Sequence, residues 1–276
     1  MKIILAKNLG FCSGVKRAVA IAEKSLEEDP KPVQLLGPLV HNETVVEKLK
    51  RNRGKIVSSL KKIKSGTLII RTHGEILTPN EIKKILVRDA TCPLVKRAQN
   101  SAKELFEKDY QVIIIGDKNH PEVRGIKKYK KNKAIVINGK REAEKLKSFK
   151  KIGVVAQTTQ DLDKVNEILK ILKKKAKDFQ WINTLCPEVL SRQKELFQIL
   201  RKAEGILVIG SHSSANTGRL AKMVKNAKRK LFWINSLENL KRVDFKKVSV
   251  LGVVSGTSAP NWEIERIKKW LGTKQK

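Results

Sequence analysis

The sequence predicts an α/β protein of three pseudo-threefold-related lobes with mainly parallel sheets. Three observations predict it. Cys12, Cys92 and Cys186 lie 80 and 94 residues apart, and each follows an extended apolar stretch and opens a helix-like one. A strand ending in glycine comes next at a nearly constant distance. VQLLG37, VIIIG116 and ILVIG210 end 25, 24 and 24 residues beyond their cysteines. A further apolar strand ending in small polar residues completes each unit: TLIIRTHGE, KIGVVAQTTQ and VSVLGVVSGTSAP. One such match arises easily by chance; three sets in the same order do not. Units of this size that alternate strand and helix suit a parallel sheet.

The elements follow in order. Residues 2–7 read as a strand, and SGVKRAVAIAEKSL after Cys12 as a helix. ILVRDATC is the extended run into the second cysteine. The helix PLVKRAQNSAKELF after it repeats the Val-Lys-Arg-Ala frame of the first. FQWINTLC leads into the third cysteine, and PEVLSRQKELFQIL keeps Pro187 and Val189 in frame before Arg192 and Gln193. Pro93 and Pro187 suit a first helical turn, where no backbone donor is missed. The strand before Cys92 ends unit one and the strand before Cys186 ends unit two. Unit three ends in the helix NWEIERIKKWL with no strand after it. The chain start is therefore predicted to pack into the third lobe and close a ring. The lobes run over 13–91, 92–185, and 186–276 together with 1–12. Ligands at strand C-termini and helix N-termini would converge on one centre.

Composition sets limits on partners. No apolar run approaches the ~20 residues of a membrane helix, and the apolar stretch at the N-terminus is too short for a signal peptide. A soluble, cytoplasmic protein with no membrane partner is expected. Sixty Lys+Arg against 27 Asp+Glu give a net charge of +33, a field that favours anionic partners. The basic runs KKIK, KKYKKNK, LKKKAK and KNAKRK lie far apart, and aromatics make up 5% of the chain. Little surface is left for stacking on nucleic-acid bases, so nucleic acid is not the expected partner. A basic module that binds a phosphorylated ligand or nucleic acid on the same fold is the alternative.

An odd number of cysteines argues against a closed disulfide framework. Repeat-equivalent cysteines would meet near a common axis, each at a helix N-terminus where the dipole favours the thiolate. Thiolates hold iron–sulfur clusters and zinc. Structural zinc normally takes four ligands in short paired spacings, and no CxxC is present. A cubane cluster can be held by three thiolates, leaving its fourth iron open. The plainer alternative is three unrelated buried cysteines.

Polar groups gather at matching positions. His41, His120 and Ser214 lie four residues past their glycines, and His73, Thr158 and Ser258 end the second strands. With Thr159 and Asn216 they form a donor set suited to a diphosphate. Helix capping is the alternative for each hydroxyl taken singly. Glu122 in NHPEVRG would hold or deliver a proton, or serve as an ordinary first-turn helix acid. Glu43 and Asn216 occupy the matching places in units one and three.

GFCSGVKRAV, LVHNETVVEKL, THG, DATCPLV, GDKNHPEVRG, AQTT, GSHSSANTGRL and SGTSAPNW resemble, in order, the motifs of the 4-hydroxy-3-methylbut-2-enyl diphosphate reductase family. The resemblance runs from residue 10 to about residue 262. It implies a cloverleaf of three lobes around a [4Fe-4S] cluster with an open iron site. It implies reductive dehydroxylation of an allylic diphosphate to isopentenyl and dimethylallyl diphosphates. Cys12, Cys92 and Cys186 would hold the cluster. His41, His73, His120, Ser214, Asn216 and Ser258 would bind the diphosphate. Glu122 would be the proton source, and Thr158 would position the substrate hydroxyl and a water. A ferredoxin or flavodoxin would supply the electrons. Three features depart from the family pattern. Pro187-Glu188-Val189 stands where x-Ala-Thr is usual, Ala215 replaces a serine, and Glu75 follows the THG motif.

Overall fold

Near-continuous apolar runs flanked by amphipathic segments leave few options other than strands covered on both faces. The computed structural model describes residues 1–75, 77, 85–128 and 133–273. It contains three four-stranded sheets, and every pairing within them is parallel.

The first lobe holds α1 (Ser13–Glu28), β2 (Val33–Leu36), α2 (Glu43–Arg51), β3 (Lys55–Val57), β4 (Thr67–Ile70) and β5 (Leu86–Asp89). Its strand order is β3-β2-β4-β5. The second holds α3 (Pro93–Glu107), β6 (Gln111–Ile115), α4 (Pro121–Lys127), β7 (Ile135–Ile137), α5 (Lys140–Glu144), β8 (Phe149–Ala156), α6 (Leu162–Lys173) and β9 (Ala176–Trp181), in the order β7-β6-β8-β9. The third holds α7 (Pro187–Leu200), β10 (Gly205–Ile209), α8 (Ala215–Asn226), β11 (Lys230–Ile234), α9 (Leu237–Leu240), β12 (Val250–Ser255) and α10 (Asn261–Gly272). The strand β1 (Lys2–Leu5) completes its sheet, in the order β1-β12-β10-β11.

The N-terminal strand is part of the third sheet. β1 pairs with β12, Lys2 opposite Val250 and Leu5 opposite Val253. It leads into Cys12 as β5 leads into Cys92 and β9 into Cys186. The short strands β3, β7 and β11 form the opposite edges, and the sequence reading did not separate them from the loops. No helix among the described residues is long and apolar enough to cross a membrane.

Packing fixes where the helices after the cysteines begin. Val15, Ala18, Val19 and Ala22 of α1 share one core with Val33, Leu35, Val45 and Leu49. In lobe three, a Cβ at Gly252 would lie 2.3 Å from the Ile199 side chain, so α7 can lie flat on β12 only because that position has no side chain. Gly153 serves α3 and β8 in the same way, with Leu105 2.7 Å from a would-be Cβ. Closely seated helices bring their N-caps, Cys12, Cys92 and Cys186, to one shared cavity. Phe11, buried in the core built on α1, also packs edge-on against Trp262 of α10 at 5.6 Å.

Candidate active site

Each cysteine is the N-cap of the helix it opens, α1, α3 or α7, and Pro93 and Pro187 fill the first turns of the latter two. The backbone N–H groups of Cys12, Cys92 and Cys186 donate to the carbonyls of Thr257 (3.0 Å), Thr72 (3.0 Å) and Thr158 (2.9 Å). One sheet end thus anchors each cysteine. All three thiols are free and line a single cavity of about 100 Å³. A Cβ at Gly14 would stand 2.8 Å from Cys92 Sγ and 4.0 Å from Cys12 Sγ. Any larger residue there would push between two sulfurs. Three soft donors, each capping the first helix of a different lobe, with that space kept clear, fit a cluster held by three thiolates.

Electrostatics modify one expectation. Helix N-termini favour thiolates, yet burial wins among the protein's own groups. It pushes Cys12 up to about 11, with only a bond from the Val15 amide opposing and Glu188 and the neighbouring cysteines adding to the rise. Burial also raises Cys186. These thiols give up their protons when a metal cation compensates the charge.

The same cavity has a polar side. The rings of His41, His73 and His120 lie 4.8, 5.2 and 6.2 Å apart, centre to centre. Burial, and for His73 and His120 the neighbouring imidazoles, push them below the usual histidine range, His120 to about 4 and His73 well below. His41 is lowered by burial and then by Arg71. All three are neutral at neutral pH. His120 caps α4, its Nδ1 accepting from the Glu122 amide at 3.2 Å. Its ring proton therefore sits on Nε2. Asn216 is buried with neither side-chain polar atom partnered within the protein, and His73 Nδ1 is likewise unpartnered. Buried orphans of this kind mark where a ligand's polar atoms belong. The N-termini of α2 and α8 open beside His41 and at Ser214, adding partial positive charge suited to an anion.

Glu122 is buried at the second position of α4. Its carboxylate turns away from its own helix and accepts from the Thr158 amide at 2.7 Å and from Thr158 Oγ1 at 2.9 Å. Burial lifts it to about 7, and the two Thr158 bonds hold it from rising further. A carboxyl group near that value exchanges a proton readily at neutral pH.

All eleven predicted site residues line this cavity: Cys12, Cys92, Cys186, His41, His73, His120, Glu122, Thr158, Ser214, Asn216 and Ser258, with Thr158 carrying two of the expected roles. Two of the repeat equivalences shift by one residue. Ile115 pairs with Ala156 and Ile209 with Ser255. With the cysteine anchors, this makes Thr158 the counterpart of Thr72 and Thr257, and Thr159 that of His73 and Ser258. In lobe one, α2 starts directly after its cap Asn42, so Thr44 stands where Glu122 and Asn216 do. Glu43 instead accepts from Ser211 Oγ of lobe three at 2.7 Å. The fourth histidine, His212, stacks on Trp233 at 4.1 Å and does not line the cavity. Glu75 is ion-paired with Lys128. Sequence reasoning missed Arg219, which pairs with Asp117 at 3.0 Å, and the buried Arg192. Their signal was present, since both follow named motif residues in NTGRL and CPEVLSRQ.

A family model described as LytB protein matches residues 3–272. A relative from Geobacter metallireducens, named 4-hydroxy-3-methylbut-2-enyl diphosphate reductase, is 38% identical over 272 residues, covering 97% of this chain and 95% of its own. One of the same name from Dictyoglomus turgidum is 39% identical over 270 residues, covering 97% and 95%. Among solved structures, the E-1-hydroxy-2-methyl-but-2-enyl-4-diphosphate reductase of Plasmodium falciparum superposes with a TM-score of 0.90 at 28% identity, covering 98% of this chain and 87% of that one. A second, described as (E)-4-hydroxy-3-methyl-but-2-enyl diphosphate reductase, the terminal enzyme of the non-mevalonate pathway, gives 0.71 at 33% identity, covering 99% and 100%.

Proposed function

The chain belongs to the LytB family, and on that premise we propose that it is a 4-hydroxy-3-methylbut-2-enyl diphosphate reductase. The substrate is an allylic alcohol carrying a diphosphate. Its C–O bond breaks, two electrons and two protons enter, and isopentenyl or dimethylallyl diphosphate leaves with water. One proton departs in the water and the other forms the new C–H bond.

Cys12, Cys92 and Cys186 would hold a [4Fe-4S] cluster, which when bound supplies single electrons and a Lewis-acidic iron. His41, His73, His120, Ser214, Asn216 and Ser258 hold the diphosphate. Glu122 stores the proton, and Thr158 fixes that carboxyl group while orienting the substrate hydroxyl and a water. An acidic ferredoxin or flavodoxin delivers the electrons. The net charge of +33 speeds its approach at low salt and does less so as ions screen it.

One observation carries the reading: thiols capping the first helices of three lobes and a buried carboxyl group near neutral pKa share one cavity. Anaerobic reconstitution with iron and sulfide tests it, followed by assay with the allylic diphosphate and a reduced viologen. A brown protein that forms the two products is expected. A colourless, iron-free chain with no turnover would overturn the proposal.

A further inference from the structure

The helices α1, α3 and α7 each carry an arginine one and a half turns after their cysteine: Arg17, Arg97 and Arg192, at offsets of five, five and six. Each reaches across its own lobe to the segment that leads into the next cysteine. Arg17 donates to the carbonyls of Thr91 (3.1 Å) and Asp89 (3.3 Å), just before Cys92. Arg97 donates to Asn183 O at 2.7 Å, three residues before Cys186. Arg192 donates to Gly10 O at 2.7 Å, two residues before Cys12. Every bond thus runs from the helix opened by one cysteine to the backbone entering the next, and the third returns to the first.

Composition makes this arrangement specific. The chain has 46 lysines and only 14 arginines, yet all three struts are arginine. A guanidinium presents a planar fork of donors, which a lysine does not. Arg192 uses that fork most fully. It also donates to Ser255 O (3.1 Å) and Ser255 Oγ (3.0 Å), and Ser255 Oγ in turn accepts from the Gly10 amide at 2.9 Å. Gly10 has φ +83°, and a Cβ there would meet Asn261 Oδ1 at 2.3 Å, so its carbonyl is held at an angle no other residue takes easily. Arg192 is 4% exposed and lies on the helix that Cys186 caps.

We propose that Arg17, Arg97 and Arg192 are positioning residues, a cyclic set of struts that fixes how the three cysteine segments face one another. Arg192 is the principal strut, and as a buried cation on the helix capped by Cys186, with its fork two residues from Cys12, it also favours the reduced cluster. This rests on the cluster reading above. Outer groups that orient metal ligands typically contribute 10- to 100-fold in affinity, and local charge tunes cluster potential.

Arg192→Met, Arg192→Lys and Arg97→Met separate the two roles. The readouts are the rate of iron loss to a chelator under argon and the cluster's reduction potential. Arg192→Met should lose iron roughly ten-fold faster, at a more negative potential. Arg192→Lys should keep the parent potential but lose iron faster, because the charge remains and the fork does not. Arg97→Met, an exposed site that tolerates truncation, should lose iron faster at unchanged potential, and it decides the matter if Arg192→Met fails to fold. Parent rates and potentials in folded Arg97→Met and Arg192→Met would overturn the struts. A parent chain that takes up no iron would instead overturn the cluster reading.

Discussion

Replacing Glu122 with glutamine should make the protein more stable above neutral pH and nearly inactive. In the folded chain the carboxyl group titrates near 7, against an ordinary 4.5, because burial disfavours its charge. The native state therefore holds a proton that the unfolded chain has released between those two values. Stability from this group is full below about pH 4.5 and is lost as pH rises to about 7. A shift of this size corresponds to about 3 kcal/mol. Glutamine keeps the shape and still accepts from the Thr158 amide, while the Thr158 hydroxyl can turn to accept from the new amide. The variant thus avoids the charging cost. Parent and variant urea midpoints, measured under argon, should agree at pH 4.5 and separate at pH 8 in favour of the variant. Loss of the stored proton should lower kcat by about 10²- to 10⁴-fold. A variant less stable than the parent at both pH values, or one that retains parental turnover, would refute the argument that Glu122 is a buried, protonated acid.

Other perturbations read different parts of the cavity. Cys92→Ser should abolish the visible thiolate-to-iron absorbance and lower bound iron, measured after anaerobic reconstitution. Gly14→Ala should reduce iron uptake with the fold retained by far-UV circular dichroism, because its Cβ intrudes within 2.8 Å of Cys92 Sγ. Inorganic pyrophosphate should bind with proton uptake at pH 6.5, since burial lowers His41, His73 and His120 below the usual histidine range and a nearby anion favours their charged forms; calorimetry in two buffers of different ionisation enthalpy measures this, and affinity should fall as pH rises. Thr158→Val removes a hydroxyl that bonds the Glu122 carboxylate at 2.9 Å, so the alkaline limb of the kcat/KM profile should move to higher pH.

The lobes and the cysteine ring were legible in the sequence because their signals are covalent spacings and continuous apolar runs. β6 reads QVIII and β12 VLGVVS, and such central strands declare themselves. The edge strands did not. KIV, IVI and KLFWI in β3, β7 and β11 are short and half-exposed, so their alternation is too brief to separate from loop. The one-residue slips at Thr158 and Glu43 have a similar origin. Spacing along a chain does not encode where a strand ends or which residue caps a helix, and α2 is capped by Asn42 whereas α4 is capped by His120 itself. The arginine struts escaped for another reason. Each bonds to backbone carbonyls, so its partner leaves no residue-type signal in the sequence.

The large surface charge and the near-neutral cavity are two halves of one electrostatic design. Burial drives Cys12 and Cys186 up, His41, His73 and His120 down, and Glu122 up. Each moves toward its uncharged form, although the chain around them carries +33. The basic runs KKIK, LKKKAK and KNAKRK lie mostly at exposed positions, where salt screens them within about 8–10 Å, so they would act on the approach of the proposed acidic donor more than on the chemistry. Inside, charge comes with what binds. Metal cations would draw protons from the thiols, and a diphosphate would draw protons onto the imidazoles. Glu122 lies in the same cavity as both groups, held by Thr158 near the pKa at which a carboxyl group can take part in either exchange. A cavity already charged would meet its ligands with less proton movement and would leave Glu122 fixed in one protonation state. On the proposed roles of these residues, a neutral cavity would couple binding at the thiols and the imidazoles to the supply of protons at Glu122.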